Sequence, residues 1–403
     1  MEYMHKFHYK HSNDVEKEFK KRMESTNIEK LDLTICPFRS NKNLNLYFIP
    51  TLYTMNLVNN IEKNNSLLRE LSLLLPDGAK ESLHDDIIAN ELFSTNQIEG
   101  IKSSKKEIVQ SMREIKERNP KKPRFYSMLK SYLKILYSDN RLPRTTKDIR
   151  DIYNNITASE IDEKNKIEGP LFRKESVNVV TVTNRVIHEG VNPHYLIEQK
   201  VQELLNFLNE DNKIEMVIKI AISHYYFGYI HPFYDGNGRT SRFINSLYLN
   251  EEYDKLTAIS LSRSIDNDKK TYYEIFDTTN KVINRGELNY FIDKFLGFII
   301  NGQKMLIEEL KIKKSQLEHA KNIIMYDENL NKLNDSYKDI LFIMAQIFYF
   351  SSEEYTTVQS LSKYVDLSEK TLRKFLNELI DMKYVVKEGI RPAQYKISED
   401  FIE

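Results

Sequence analysis

The chain has a single cysteine, Cys36, and no tryptophan in 403 residues. One thiol excludes an internal disulfide and any thiolate-rich zinc or iron–sulfur centre, and it suits a reducing compartment. Glycine and proline are scarce, at 11 and 10, so the chain has few built-in breaks. Net charge is also missing: 59 Lys and Arg balance 59 Asp and Glu, and no whole-chain field draws the protein to nucleic acid or acidic lipid. The segment from Met1 to Lys6 lacks the apolar run of a secretion signal, and no later stretch approaches the roughly 20 uncharged residues that cross a bilayer. These absences predict a cytoplasmic protein without membrane partners. What is present is core material, with 40% hydrophobic residues, 25 Tyr and 20 Phe, enough for two or three domains at about 150 residues each.

Apolar residues recur mostly at helical spacing, which predicts a mainly α protein. Residues 1 to 50 are polar and weakly periodic, with one helix expected from Asp14 to Met23. A helix from Thr51 carries Leu57, Ile61, Leu67, Leu68 and Leu71, and the turn residues Pro76, Asp77 and Gly78 are expected to end it. The next, from Leu83 to Ile98, sets Ile88, Leu92, Thr95 and Glu99 on one face, with Gly100 where a left-handed C-terminal residue belongs. Ser104 and Glu107 form a capping box, and helices follow over Arg124–Tyr137 and Thr146–Ile156. Val177, Val179, Val180 and Val182, with Thr181 and Thr183, favour an extended hairpin, the best strand candidate before the C-terminus. An amphipathic helix carries Ile197, Val201, Leu204, Leu205 and Leu208, while Met216 to Ile230 is apolar all round and reads as the buried centre of a bundle.

The chemistry concentrates after that central helix, in the twelve residues from His231 to Arg242. Gly236 and Gly238 let the backbone turn and approach a ligand, and the amides opening the following helix present a positive dipole end to phosphate oxygens. Arg239 and Arg242, one turn apart, add two guanidinium forks. Asp235 is a hard oxygen donor suited to Mg²⁺, and His231 is a candidate base. Taken singly, a histidine at a helix end reads as a cap, an Arg pair as solvated and the glycines as a turn. Together they describe a phosphate site for phosphoryl or nucleotidyl transfer. The loop is no P-loop, because the Lys-Ser/Thr pair is absent, and no dinucleotide fingerprint, because it follows a helix instead of a strand.

This loop resembles the signature of the Fic family, His-Pro-Phe-x-Asp/Glu-Gly-Asn-Gly-Arg-x-x-Arg, with every fixed position present from His231 to Arg242. The resemblance extends over Thr51 to Ile300, with Val177 to Val191 in the place of the family's substrate-docking flap and Tyr272 and Tyr273 after the loop. It implies transfer of AMP from ATP to a Tyr, Thr or Ser hydroxyl of a protein that docks on the flap near Val186 to Gly190. In that reading His231 is the base and Asp235 the Mg²⁺ ligand. Phe233, Gly236, Asn237, Gly238, Arg239, Arg242, Tyr272 and Tyr273 form the nucleotide site, the side chain of Asn237 helping to cradle the phosphates. The family's phosphorylating branch, Doc, has Lys at the second glycine, so Gly238 points to the adenylylating branch. Thr95, Glu99 and Gly100 match the family's inhibitory helix, which implies that Glu99 pairs with Arg242 and blocks the γ-phosphate. In related proteins the same Glu also serves AMP removal, so de-AMPylation or another Fic-type transfer stays open. His188 in the flap reads as a surface histidine.

A long polar helix from Gly302 to Ile324 is expected to link the core to a last unit whose order, helix, helix, turn, helix and hairpin, is that of a winged helix-turn-helix. Lys370, Arg373 and Lys374, with Lys383, Lys387 and Arg391 near the wing, suit phosphate contacts in a major groove, while Glu369, Glu378, Asp381 and Glu388 interleave with them as in a protein-interaction module. The organisation expected is therefore an N-terminal helical region with the inhibitory helix (1–110), a Fic core (111–301) and the linker with winged helix (302–403). A homodimer, and a DNA-binding regulator with a nucleotide-sensing core, remain open.

Overall fold

The computed structural model describes residues 1–116, 123–138, 141–157, 160–167, 169–180, 186–352, 354–389 and 393–402. The fold is mainly helical with small antiparallel hairpins. Helices α1 (Met4–Lys10) and α2 (Val15–Met23) lead into strands β1 (Glu29–Ile35) and β2 (Leu44–Phe48), which pair with Glu29 opposite Phe48 and Ile35 opposite Leu44. This hairpin was not among the expected elements, although Leu31, Leu33 and Ile35 alternate inward along β1 as a half-buried strand requires. The first 50 residues are anchored to the core through buried Glu287, which accepts from the Met4 amide at 2.9 Å and pairs with buried Arg22.

Helix α3 (Leu52–Leu73) starts at a Thr51 cap, whose hydroxyl accepts from the Thr54 amide. Helix α4 (Asp77–Ile98) begins six residues earlier than expected, with Pro76 preceding it and Gly78 in its first turn. A side chain at Gly78 would meet Oε1 of Gln346 at 2.7 Å. Here glycine permits close helix packing, and the same Gln346 oxygen accepts from the Ala79 amide at 3.1 Å, capping α4 from a distant part of the chain. Helices α5 (Lys105–Lys116), α6 (Tyr126–Tyr137) and α7 (Thr146–Thr157) follow, α5 capped by Ser104.

Strands β3 (Asn178–Val180) and β4 (Val186–Glu189) form a short hairpin; Thr181, Val182 and Thr183 lie outside the described residues. Helix α8 (His194–Asn209) covers α9 (Met216–Ile230), which is buried on every side, and α10 (Asn237–Glu252) packs back along α9. Helices α11 (Lys255–Ala258), α12 (Leu261–Asn267) and α13 (Lys269–Thr279) lead to α14 (Asn289–Tyr326). Helix α14 runs unbroken through 301 and 302, so the expected linker is the second half of one 38-residue helix. Gly302 lies inside it because a Cβ there would sit 2.6 Å from the Ser260 carbonyl oxygen. After it come α15 (Ser336–Phe350), α16 (Val358–Leu361), α17 (Glu369–Asp381), strands β5 (Val385–Glu388) and β6 (Gln394–Ile397) and α18 (Glu399–Ile402). This last unit packs on α4 and α14. None of the described helices is long and apolar enough to cross a membrane.

Candidate active site

Helix α9 ends at His231, whose backbone turns left-handed (φ 52°, ψ 60°) while its amide still donates to the Phe227 carbonyl at 2.9 Å. Pro232 cannot continue the ladder, so the chain leaves the helix with the imidazole at the mouth of a cleft. Phe233 is fully buried and stacks on Tyr153 at 3.8 Å between ring centres. It anchors the loop in the core, so its part in the nucleotide site expected from the sequence is one of shaping the loop. Asn237 also shapes the loop. Its side-chain oxygen accepts from the Phe233 amide at 3.0 Å and its nitrogen donates to the Phe233 carbonyl at 2.8 Å. Both ends of the amide take part in shaping the loop, and Asn237 also lines the cleft, where the second N–H of its amide has no partner among these bonds. Gly236 turns left-handed (φ 80°) against the Thr157 methyl, where a Cβ would come within 2.6 Å. Its amide donates to Asp235.

The first backbone bond of α10 runs from the Thr240 amide to the Gly236 carbonyl at 3.0 Å, so the amides of Asn237, Gly238 and Arg239 have no acceptor in their own helix. Two guanidinium groups lie beside them, both fully buried. Arg242 donates from Nε to the Thr95 hydroxyl (2.8 Å) and from Nη2 to the Glu99 carboxylate (2.7 Å). Its Nη1 has no partner, and none of the three Arg239 nitrogens has one. The nearest carboxylate oxygen to Arg239 is on Asp235 at 3.9 Å. Glu99, at the end of α4 and followed by left-handed Gly100 (φ 71°), lies directly over Gly238: a Cβ there would meet its Oε1 at 2.1 Å. The carboxylate thus rests in the hollow that the free amides and arginines surround.

The cleft itself, about 270 Å³, is lined by His231, Glu99, Gly238, Tyr272, Tyr273 and His188, among others. Tyr272 is buried and joined to His224 at 2.8 Å; Tyr273 is half exposed and donates to the Ile98 carbonyl at 2.9 Å. His224 is buried behind the loop, in contact with Ser241 and Asn245 of α10, and burial holds its imidazole well below the ordinary value. His188 is no surface residue. It is buried, and its Nε2–H donates to the Tyr229 carbonyl at 2.6 Å, tying β4 to the end of α9. The period-2 pattern of a flap does not say which face packs inward, and the inward face here is the one carrying His188. His224 gave only the signal of a polar residue inside an apolar helix. Arg173, fully buried beside His231, gave none.

The comparisons with known proteins agree with this geometry. Residues 143–249, which contain the loop, match the Fic/DOC family. That stretch is a Fic domain. Two proteins named protein adenylyltransferase Fic, from Drosophila grimshawi and Drosophila mojavensis, are similar to the chain at 29% identity over 153 residues and 30% over 149, or 38% and 37% of this chain. The matched stretches span only 28% and 26% of those relatives. The crystal structure of a Fic family protein from Desulfovibrio desulfuricans shares the fold, with a TM-score of 0.53 over 87% of this chain and 97% of that one at 16% identity.

Within this Fic fold the electrostatics are uneven. Burial, reinforced by His188 and Arg173, lowers His231 to about 4 against a weaker opposing pull from Glu99. Burial also lowers Arg239; on Arg242 burial is again the largest single effect, but Glu99 together with Tyr272 and Tyr132 outweighs it and raises the group. Asp235 is partly exposed, and no group of three metal-ligating side chains occurs among the described residues. A lone carboxylate fits Mg²⁺ when phosphate oxygens and water complete the shell, the usual arrangement for that ion. Far from the cleft, Arg373 pairs with Glu369 (3.3 Å) and Lys374 with Glu378 (3.8 Å), so the basic face of α17 is partly neutralised; Arg391 lies outside the described residues.

Proposed function

We propose that this Fic domain transfers AMP from ATP to a hydroxyl of a protein target and that Glu99 restrains it. The observation that carries the reading is Arg239: a fully buried guanidinium with no hydrogen-bond acceptor on any nitrogen and only a loose ion pair to Asp235 at 3.9 Å, next to three amides without an acceptor in their own helix. A buried charge so loosely compensated is costly, and an anion with several oxygens would offset that cost. Arg242 adds a second cation whose present partner is Glu99. The names of the similar Drosophila proteins support ATP as the donor and a protein as the acceptor.

His231 Nδ1 faces the Gly228 carbonyl at 3.4 Å. A carbonyl only accepts, so Nδ1 carries the hydrogen and Nε2 keeps the lone pair of a base. In the proposed reaction Nε2 takes the proton of the target hydroxyl, whose oxygen attacks the α-phosphorus. A new P–O bond forms, the bond to the bridging oxygen of the β-phosphate breaks, and pyrophosphate leaves. The Gly238 and Arg239 amides and the two guanidinium groups bind the phosphate oxygens and stabilise the charge that develops on them. Asp235 would hold Mg²⁺, which neutralises the phosphates when bound. Target docking on β4 as an added strand, and partner binding by the C-terminal unit read as a winged helix, belong to the same proposal.

The test is label transfer from ATP carrying ³²P at the α position. Glu99→Gly is expected to raise incorporation into the protein itself or a target by about tenfold or more, since removing about 1.4 kcal/mol of restraint suffices for that. Adding His231→Ala should abolish it. No α-phosphate label in any Glu99→Gly preparation would sink the reading, and equal labelling with and without Glu99 would sink the restraint.

A further inference from the structure

Arg173, in the segment between α7 and β3, has no exposed surface, and carbonyls meet its fork. Its Nε donates to the His231 carbonyl (2.8 Å), Nη1 to that of Glu175 (2.7 Å) and Nη2 to those of Val191 (2.7 Å) and Ile230 (3.4 Å). Its own amide donates to the Pro232 carbonyl at 3.1 Å. The side chain therefore binds the residues before and at the imidazole's attachment point together with the end of the flap, and the backbone amide of the same residue binds the one after. Space is tight: a Cβ on Gly190 would sit 2.5 Å from Arg173 Nη2 and 3.1 Å from His231 Cβ.

Neutral donors could satisfy these carbonyls at lower cost, because burial disfavours the guanidinium's charge, with only Tyr234 and Glu189 opposing, and brings it down to about 10. The charge has a use beside His231, where a cation at short range disfavours protonation of the ring. We propose that Arg173 is a positioning residue for His231: its fork fixes the backbone on which the imidazole stands, and its charge keeps the ring in the proton-accepting form. The charged and titratable groups facing His231 are Arg173, His188 from β4 and Glu99 from the end of α4; Tyr272 and Tyr273 from α13 line the same cleft. Of these, Arg173 is the permanent cation. The inference rests on His231 acting as the base proposed above.

The experiment uses the full chain carrying Glu99→Gly, alone and with Arg173→Gln or Arg173→Lys. Label transfer is followed from about pH 5 to about pH 9, and the His231 ring, held near 4 in the folded chain, is titrated by NMR from about pH 3 to about pH 8. Arg173→Gln is expected to slow transfer about tenfold and to move the acid limb and the ring titration up by about one pH unit, the effect of losing a nearby cation at high effective dielectric. Arg173→Lys keeps the charge and loses the fork, so it should slow transfer and leave the midpoint in place. A slower Arg173→Gln with an unmoved His231 titration would overturn the proposal, as would unchanged rates. Should Arg173→Gln not fold, Arg173→Lys decides: a slower rate with a fixed midpoint supports the proposal, and a raised midpoint or an unchanged rate overturns it. The ring titration needs no turnover, so absence of AMP transfer by the Glu99→Gly parent is read separately, as failure of the proposed function.

Discussion

Arg239 is kept at a cost, since each of its nitrogens is buried without an acceptor. Arg239→Met, similar in reach and uncharged, is therefore expected to stabilise the fold by about 1 kcal/mol or more while weakening ATP binding. Thermal melts with and without ATP check both: a higher Tm without ligand and a smaller rise on adding it. A lower Tm without ATP would mean that the guanidinium has partners which the folded chain supplies. Residue types at this scale were legible in the sequence, because two glycines, two arginines, an aspartate and a histidine within twelve positions have few joint uses. Their individual duties were less so. Asn237 has the right chemistry for a phosphate, and in the fold its amide also holds the amide and carbonyl of Phe233. Phe233 likewise fills the gap between Tyr153 and Phe172.

Helix α4 shows how an element turns packing into chemistry. Ile88, Leu92 and Thr95 are buried along one face and carry Glu99 to the Arg242 guanidinium, as the i, i+4, i+7, i+11 spacing predicts. Glu91, on the same helix, is buried and accepts from the amide and hydroxyl of Ser262. Burial raises its carboxyl from 4.5 to about 7, against those hydrogen bonds. The folded state then holds a proton that the unfolded state releases, so stability falls as pH rises from about 4.5 to about 7, by up to about 3 kcal/mol. Glu91→Gln should flatten that dependence in urea unfolding measured across this window; an unchanged slope would show that Glu91 does not titrate there. The spacing along α4 could be read from the sequence, but its start could not. Pro76, Asp77 and Gly78 have turn chemistry, and they open a helix because Gln346 supplies the acceptor for the Ala79 amide.

Across the whole molecule that same contact joins the C-terminal unit to the helix bearing Glu99. Gln346 caps the first turn of α4, Ser352 pairs with Asp86, and the Tyr364 hydroxyl pairs with Glu81. Gln346→Leu removes the acceptor and leaves a buried amide unpaired, which costs about 1–3 kcal/mol. The expected outcome is a lower Tm, with faster amide exchange confined to the first turns of α4. Exchange that speeds uniformly, or not at all, would show that the cap does not act locally. By itself, the sequence determined the helical class, the buried central helix and the chemistry of the loop, because periodicity, turn residues and a dense local motif are properties of neighbours along the chain. Only the tertiary structure decided that Glu99 lies over Gly238, that His188 points inward, that one helix runs unbroken from Asn289 to Tyr326 and that Arg173 stands behind His231. The contacts of Glu99, His188 and Arg173 join groups 41 to 143 positions apart, and short-range spacing carries no record of such meetings.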